Sequence, residues 1–298
     1  MMPKTLRRFT TFLLIKILLR LAMILPRPAG HALFGALGAL AYRLLKRSRR
    51  VALTNLQLVY NGNLTELELE NIARQAFRNL GRFAYDASRM GKYSLEALDR
   101  MVEVVGLEHL DRPLSEGRGV VALSGHVGNW ELMGAYFARR GYPLSVLATR
   151  VRDRRLDGIL VALRRSVGMN VLERSRSLMG AFRCLKQGGM LGVLMDQDTS
   201  VESVIVDFLG HPAKTPVGPV KLATGTGAAV VPMAMLMDPG GKYRIEVKEP
   251  VAIDGNGESL DRDVAKCSDA IGDFIRAEPT QWVWMHKRWK SVSAGMYK

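Results

Sequence analysis

His126 and Glu131 are the residues of this chain whose types and spacing can do acid–base chemistry. They stand five positions apart in Ser124-Gly125-His126-Val127-Gly128-Asn129-Trp130-Glu131. On one continuous helix five residues turn about 500°, so the two side chains would diverge. They meet only if His126 sits in a turn and Glu131 in the first turns of the helix that follows. An imidazole with one nitrogen held by a carboxylate and the other facing an opening makes a general base. The same residues admit a structural reading, in which His126 caps the turn and Glu131 complements the helix dipole.

The flanking sequence supplies the elements that would position the pair. Val120 to Leu123 is a short apolar run of the kind found in buried strands, Gly125 and Gly128 permit a tight bend, and Trp130 to Ala138 resumes helical spacing. Further short apolar runs lie at 102–105, 144–147, 190–194, 204–208, 230–237 and 243–247. Helical stretches separate them near 131–139, 154–167, 178–186, 217–225 and 262–276. That alternation predicts an α/β fold, a mixed central sheet flanked by helices. Residues 65–90 read as an amphipathic helix with a capped start at Thr65, Pro239-Gly240-Gly241 as a hairpin turn, and 254–257 as a loop.

Other candidates sit where such folds place ligand groups. Asp196-Gln197-Asp198 closes a strand, and Asp196 suits either an arginine or substrate partner or a plain cap. Arg150 and Arg164 can hold a phosphate bidentately or steady an oxyanion, in a segment that also carries Arg152, Arg154, Arg155 and Arg165. The turn-rich stretch 208–219 reads as a loop whose Thr215 caps the next helix and suits phosphate or an ester oxygen there. Zinc-helix, Walker and dinucleotide motifs are absent, and Ser124 lacks the nucleophile-elbow pattern. Direct transfer is therefore more economical than a serine intermediate.

Charge and termini point to an anionic partner. Lys and Arg number 43 against 28 Asp and Glu, a net +15 that suits nucleic acid, a membrane surface or an acidic protein. Residues 9–25 are apolar but carry Lys16 and Arg20, so they fit a marginal membrane span or a helix lying in one leaflet. After Pro26 and Pro28, residues 31–45 form a second apolar helix ending in Lys46, Arg47, Arg49 and Arg50, and Lys4, Arg7 and Arg8 precede the first. The expectation is a membrane-associated helical hairpin over residues 1–50 with a basic collar, followed by a catalytic domain over 51–298. Cys184 and Cys267 read as small hydrophobes in a reducing compartment. The segment Gln281-Trp282-Val283-Trp284, with Trp289, suits nucleobase stacking, a lipid interface or a wall of the core.

In this order the motifs resemble the lipid A biosynthesis acyltransferases, the lauroyl and myristoyl transferase family within the glycerolipid acyltransferase superfamily. The likeness rests on Asn55-Leu56, the run from Ser124 to Glu131, Asp196-Gln197-Asp198, the Phe208-to-Thr215 loop, Val231-Pro232 and the tryptophan segment. It implies a glycerolipid-acyltransferase-like fold and a general-base dyad in which His126 deprotonates a lipid hydroxyl and Glu131 orients the imidazole. It also implies Arg164, or second Arg150, as the substrate-contacting arginine, and Asp196, Gln197, Asp198, Thr215 and Asn129 as further substrate-binding positions. No metal or organic cofactor is required. The implied donor is acyl carrier protein, or acyl coenzyme A, and the implied acceptor an anionic glycolipid at the cytoplasmic face of the inner membrane. Rival readings are an acyltransferase for another glycolipid or a lysolipid, and a non-catalytic basic protein that binds membrane or nucleic acid.

Overall fold

The computed structural model describes residues 4–297 except 152, 174–176 and 256–258. Arg152, part of the 254–257 loop, and the side chains of Lys4, Arg7 and Arg8 thus lie outside the described residues. Four helices come first: α1 (Lys4–Ile24), α2 (Arg27–Leu44), α3 (Lys46–Tyr60) and α4 (Glu66–Ser88). Two short helices, α5 (Leu95–Met101) and α6 (Glu108–Ser115), flank β1 (Val102–Val105). Then follow β2 (Val120–Ser124), α7 (Trp130–Arg139), β3 (Leu144–Ala148), α8 (Arg154–Arg165), β4 (Asn170–Glu173), α9 (Leu178–Lys186) and β5 (Met190–Leu194). The chain continues through β6 (Ser203–Phe208), β7 (His211–Pro216), α10 (Gly218–Thr226), β8 (Ala229–Met237), β9 (Tyr243–Val247) and α11 (Leu260–Ala277).

Seven strands form one sheet in the order β1-β9-β8-β2-β5-β3-β4. Every pairing in it is parallel except β8 with β9, which gives the mixed α/β sheet that the alternation predicts. Strands β2 and β8 are buried along their whole length, as apolar strands covered on both faces must be. Their side chains alternate between two cores. Val121 and Leu123 join Ile271 and Phe274 of α11 and the buried tryptophans, whereas Val120 and Ala122 join Leu132 and Tyr136 of α7.

The 208–219 stretch departs from expectation. β6 and β7 form a separate antiparallel hairpin turned at Leu209 and Gly210, both at positive φ. Pro212 and Pro216 argued for a loop, but a two-stranded ribbon has open edges where a missing N–H is tolerated.

The N-terminal segment also departs from it. Instead of pairing chiefly with α1, helix α2 lies tight against α4, where glycines let the backbones approach. A Cβ at Gly38 would stand 2.2 Å from the Phe77 carbonyl oxygen, and one at Gly81 2.1 Å from that of Phe34. The basic collar is the first turn of α3, which spans residue 50 with no linker. Among the described residues no helix is long and apolar enough to cross a membrane. Helix α1 instead shows solvent a row of apolar side chains that includes Leu13, Leu14, Ile17 and Leu21.

A buried carboxylate ties this segment to the sheet. Asp86 of α4 is fully buried and accepts two hydrogen bonds from Arg27, at 3.1 Å each, and one each from Tyr93 and Tyr243, at 2.6 and 2.7 Å; His31 Nε2 lies 2.7 Å away. Burial alone would raise its pKa, but the His31 and Arg27 contacts bring it down to about 2.

Candidate active site

Strands β2 and β5 are adjacent and parallel, with Ser124 opposite Leu194. His126 and Asp196 each lie two residues beyond that register pair, so the sheet brings together side chains 70 positions apart. His126 Nδ1 is 2.8 Å from Asp196 Oδ1. Asp196 Oδ2 accepts hydrogen bonds from the His126 backbone N–H at 2.8 Å and from Trp282 Nε1 at 2.7 Å.

Asp196 is buried, which by itself would push its pKa up. The His126 charge, the imidazole hydrogen bond, the Trp282 indole and the backbone N–H overcome this and hold it at about 2. The imidazole is about a quarter exposed (24%) and meets the Trp130 ring edge-on at 5.0 Å. With Nδ1 on an ionised carboxylate, Nε2 is the nitrogen left to accept a proton.

The turn that carries His126 is fixed from both sides. Gly128 has φ +60° and approaches β8 so closely that a Cβ there would lie 1.9 Å from the Met235 carbonyl oxygen. Its N–H donates to the Gln281 carbonyl, the Asn129 N–H to that of Met235, and the Val283 N–H to that of His126.

Glu131 does not hold the imidazole, contrary to expectation. It sits in the first turn of α7 as anticipated, but its carboxylate receives two hydrogen bonds from Arg164 at the end of α8, the Nε one at 2.9 Å. The ring nitrogen that a carboxylate would hold is already bonded to Asp196.

Beside this pair an apolar cavity of about 70 Å³ lies between α7 and strands β2, β3 and β5. Ser124, Trp130, Glu131 and Arg164 line its polar end, and Phe137, Met169 and Met190 its apolar part.

The remaining candidates divide between site and scaffold. Arg164 is at the cavity, but Arg150 points elsewhere and pairs with Glu173 at 3.2 Å, largely exposed. Gln197 follows Asp196 and is half-buried. Asp198 is bound to the N–H and hydroxyl of Ser291, at 2.9 Å each, and so anchors the C-terminal segment. Thr215 caps no helix; it lies buried in β7, where its hydroxyl donates to the Ala213 carbonyl and accepts from Arg288. Asn129 caps α7 through the Leu132 N–H and donates to Tyr243, a scaffold role.

Trp282 was not singled out in the sequence as a partner of the site. Its signal was general: a buried indole N–H needs an acceptor. Trp282, Trp284 and Trp289 are all buried, so they wall the core and are not free for nucleobases or lipid. Gln281 fixes this wall by bonding both backbone groups of Met237, and Asn55 does so by bonding the carbonyls of Trp284 and His286.

The chain is 28% identical over 224 residues to the phosphatidylinositol mannoside acyltransferase of Mycobacterium tuberculosis, covering 72% of this chain and 69% of that one. It is 26% identical over 279 residues to the lipid A biosynthesis lauroyltransferase of Escherichia coli, covering 93% and 90%. The crystal structure of the 1-acyl-sn-glycerophosphate acyltransferase PlsC from Thermotoga maritima aligns with a TM-score of 0.42 at 16% identity, over 78% of this chain and 98% of that one. The family model described as bacterial lipid A biosynthesis acyltransferase matches residues 3–291, and the chain accordingly belongs to that family of O-acyltransferases.

Proposed function

We propose that this enzyme transfers a fatty acyl chain from the thioester of an acyl carrier protein to a hydroxyl of a lipid A precursor, with His126 as general base. The observation that carries this reading is an imidazole paired with a buried, ionised aspartate beside an apolar cavity. His126 Nε2 takes the proton of the acceptor hydroxyl as its oxygen attacks the thioester carbonyl. A C–O bond forms and the C–S bond breaks. The imidazolium then returns the proton to the departing thiolate. Asp196 keeps the ring in the correct tautomer and stabilises its charge throughout.

The apolar cavity takes the donor chain, and Arg164, held by Glu131, meets the anionic or carbonyl oxygens at its mouth. A net charge of +15 suits both an acidic carrier protein and an anionic membrane. The exposed apolar row of α1 suits association with the cytoplasmic face of the inner membrane. Relatives named for lipid A and for phosphatidylinositol mannoside are about equally similar, so a mannoside acceptor is the second reading. Acyl coenzyme A is the alternative donor.

Purified enzyme given carrier-protein thioester and either acceptor should yield a product heavier by one acyl chain by mass spectrometry. His126→Ala should abolish it. Undiminished product from that variant would overturn the general-base assignment.

A further inference from the structure

Behind the active site the C-terminal segment buries a cation that no neighbouring carboxylate pairs with. Arg288 is fully buried. Its guanidinium donates to the Lys214 carbonyl at 2.5 Å and to the Thr215 hydroxyl at 2.6 Å, both on β7, and lies over the Phe208 ring at 4.6 Å. Its Nε–H meets no acceptor, and among the described residues no acidic side chain is bonded to it. Two neutral acceptors do not call for a full charge. A neutral amide would staple β7 to this segment as well, without the cost of taking an ion out of water.

The charge is balanced at longer range, through the layer that backs the imidazole. Phe208, beneath the guanidinium, packs against the Trp282 ring with centroids 5.6 Å apart, and the Trp282 indole holds Asp196 Oδ2. Asp196 and Asp198 are the two carboxylates whose attraction works on Arg288, and Asp198 is itself bonded to Ser291. Burial brings the guanidinium down to about 10, which leaves it charged at neutral pH.

Charged and titratable groups face His126 and Asp196 from several elements. Asp198 follows β5, and Glu131 of α7 is paired with Arg164 of α8 on the cavity side. Helix α11 brings the apolar Ile271 against the turn at Gly125. The C-terminal segment brings His286, whose pKa burial lowers, and Lys290, which is exposed and donates to the Asp198 carbonyl at 3.0 Å. Tyr297 faces Arg288 and stays neutral, because burial pushes its hydroxyl up. Arg288 is the cation of this group that is buried and has no ion-pair partner of its own.

We propose that Arg288 is the counter-charge of the His126–Asp196 pair, a positioning residue that works through the Asp196 carboxylate. The proposal deepens the general-base reading above and rests on it. While His126 is neutral, the charges of Asp196 and Arg288 cancel. Once the ring takes the acceptor's proton, the buried group carries a net positive charge. Arg288 thus keeps the resting ring free to accept a proton and makes the imidazolium release it readily to the departing thiolate.

Histidine-selective imidazole NMR of the full-length protein tests this, with the His126 signal assigned by its loss in His126→Ala. Arg288→Gln keeps a donor for β7 and removes the charge, and Arg288→Met serves if that variant melts early. A unit charge in a partly buried site, at an effective dielectric of about 20, moves a protonation midpoint on the order of one pH unit. The His126 midpoint should rise by about that much, tenfold in the protonation equilibrium, and the acid limb of kcat/KM should move up with it. Arg288→Lys should restore both. Thr215→Val removes one bond of Arg288 but not its charge, and should leave the midpoint in place. A midpoint that stays put when the charge is removed, or that moves as far in Thr215→Val, would overturn the proposal. If His126→Ala keeps full activity, the general-base reading fails, and the NMR titration still decides the counter-charge.

Discussion

Asp196 and Trp282 meet at 2.7 Å, indole nitrogen to carboxylate oxygen, behind the imidazole of His126. The carboxylate thus has one oxygen for the ring and one shared between an indole and a backbone N–H, and it cannot rotate away from the ring without breaking these bonds. This second layer of contacts gives the histidine a fixed direction.

Trp282→Phe removes the indole donor and keeps most of the ring volume. A hydrogen bond to a charged group is worth roughly 1.5–3 kcal/mol, so if half of that is felt in the transition state kcat should fall on the order of tenfold. Steady-state kinetics with saturating acceptor will measure it, and an unchanged kcat would make the indole contact merely structural.

Gly134 lines the inner cavity, where a Cβ would meet the end of Met169 at 2.9 Å. Gly134→Leu should shorten the donor chain that the enzyme accepts. Each methylene denied burial costs about 0.8 kcal/mol, so a donor that loses two should fall roughly tenfold in kcat/KM against a shorter competitor. Competition between donors of different length in one reaction checks this.

Asp86 holds α2 to β9 through Arg27, His31 and Tyr243. Asp86→Asn removes the charge that these groups share and should lower stability by about 3–5 kcal/mol, the usual result of breaking a buried ion pair. Chemical denaturation reports the loss.

Acid should reveal the same carboxylates. Asp86 and Asp196 titrate near 2 in the folded protein against an ordinary 3.8, so the unfolded chain binds protons first as pH falls. Their stabilisation is complete above about pH 4 and is lost between there and about pH 2, roughly 2 kcal/mol from each. The denaturation midpoint followed across that window should drop steeply, and less so in Asp86→Asn.

Much of this was legible in the chain itself. The run from Val120 to Leu123, the glycines at 125 and 128 and the helical spacing after Trp130 put His126 in a turn at a strand end, where it is found. Asp196 was equally visible as the close of a strand. What local spacing does not contain is the register between β2 and β5, and that register selects Asp196 over the nearer Glu131. Thr215 misled for another reason. Its flanking prolines resemble a loop, and only the pairing of β6 with β7 turns it into a buried strand residue. The short helices α5 and α6 carry too few residues for periodicity to declare them.

The central claim, that Asp196 and not Glu131 governs the base, is tested most directly by kcat for Asp196→Asn and Glu131→Gln measured side by side. Loss of the aspartate charge should lower kcat by about 10³-fold with little change in acceptor KM, as removal of a base's orienting carboxylate does. Glu131→Gln should act mainly on KM, through Arg164. A nearly normal kcat in Asp196→Asn, beside an inactive Glu131→Gln, would contradict the account.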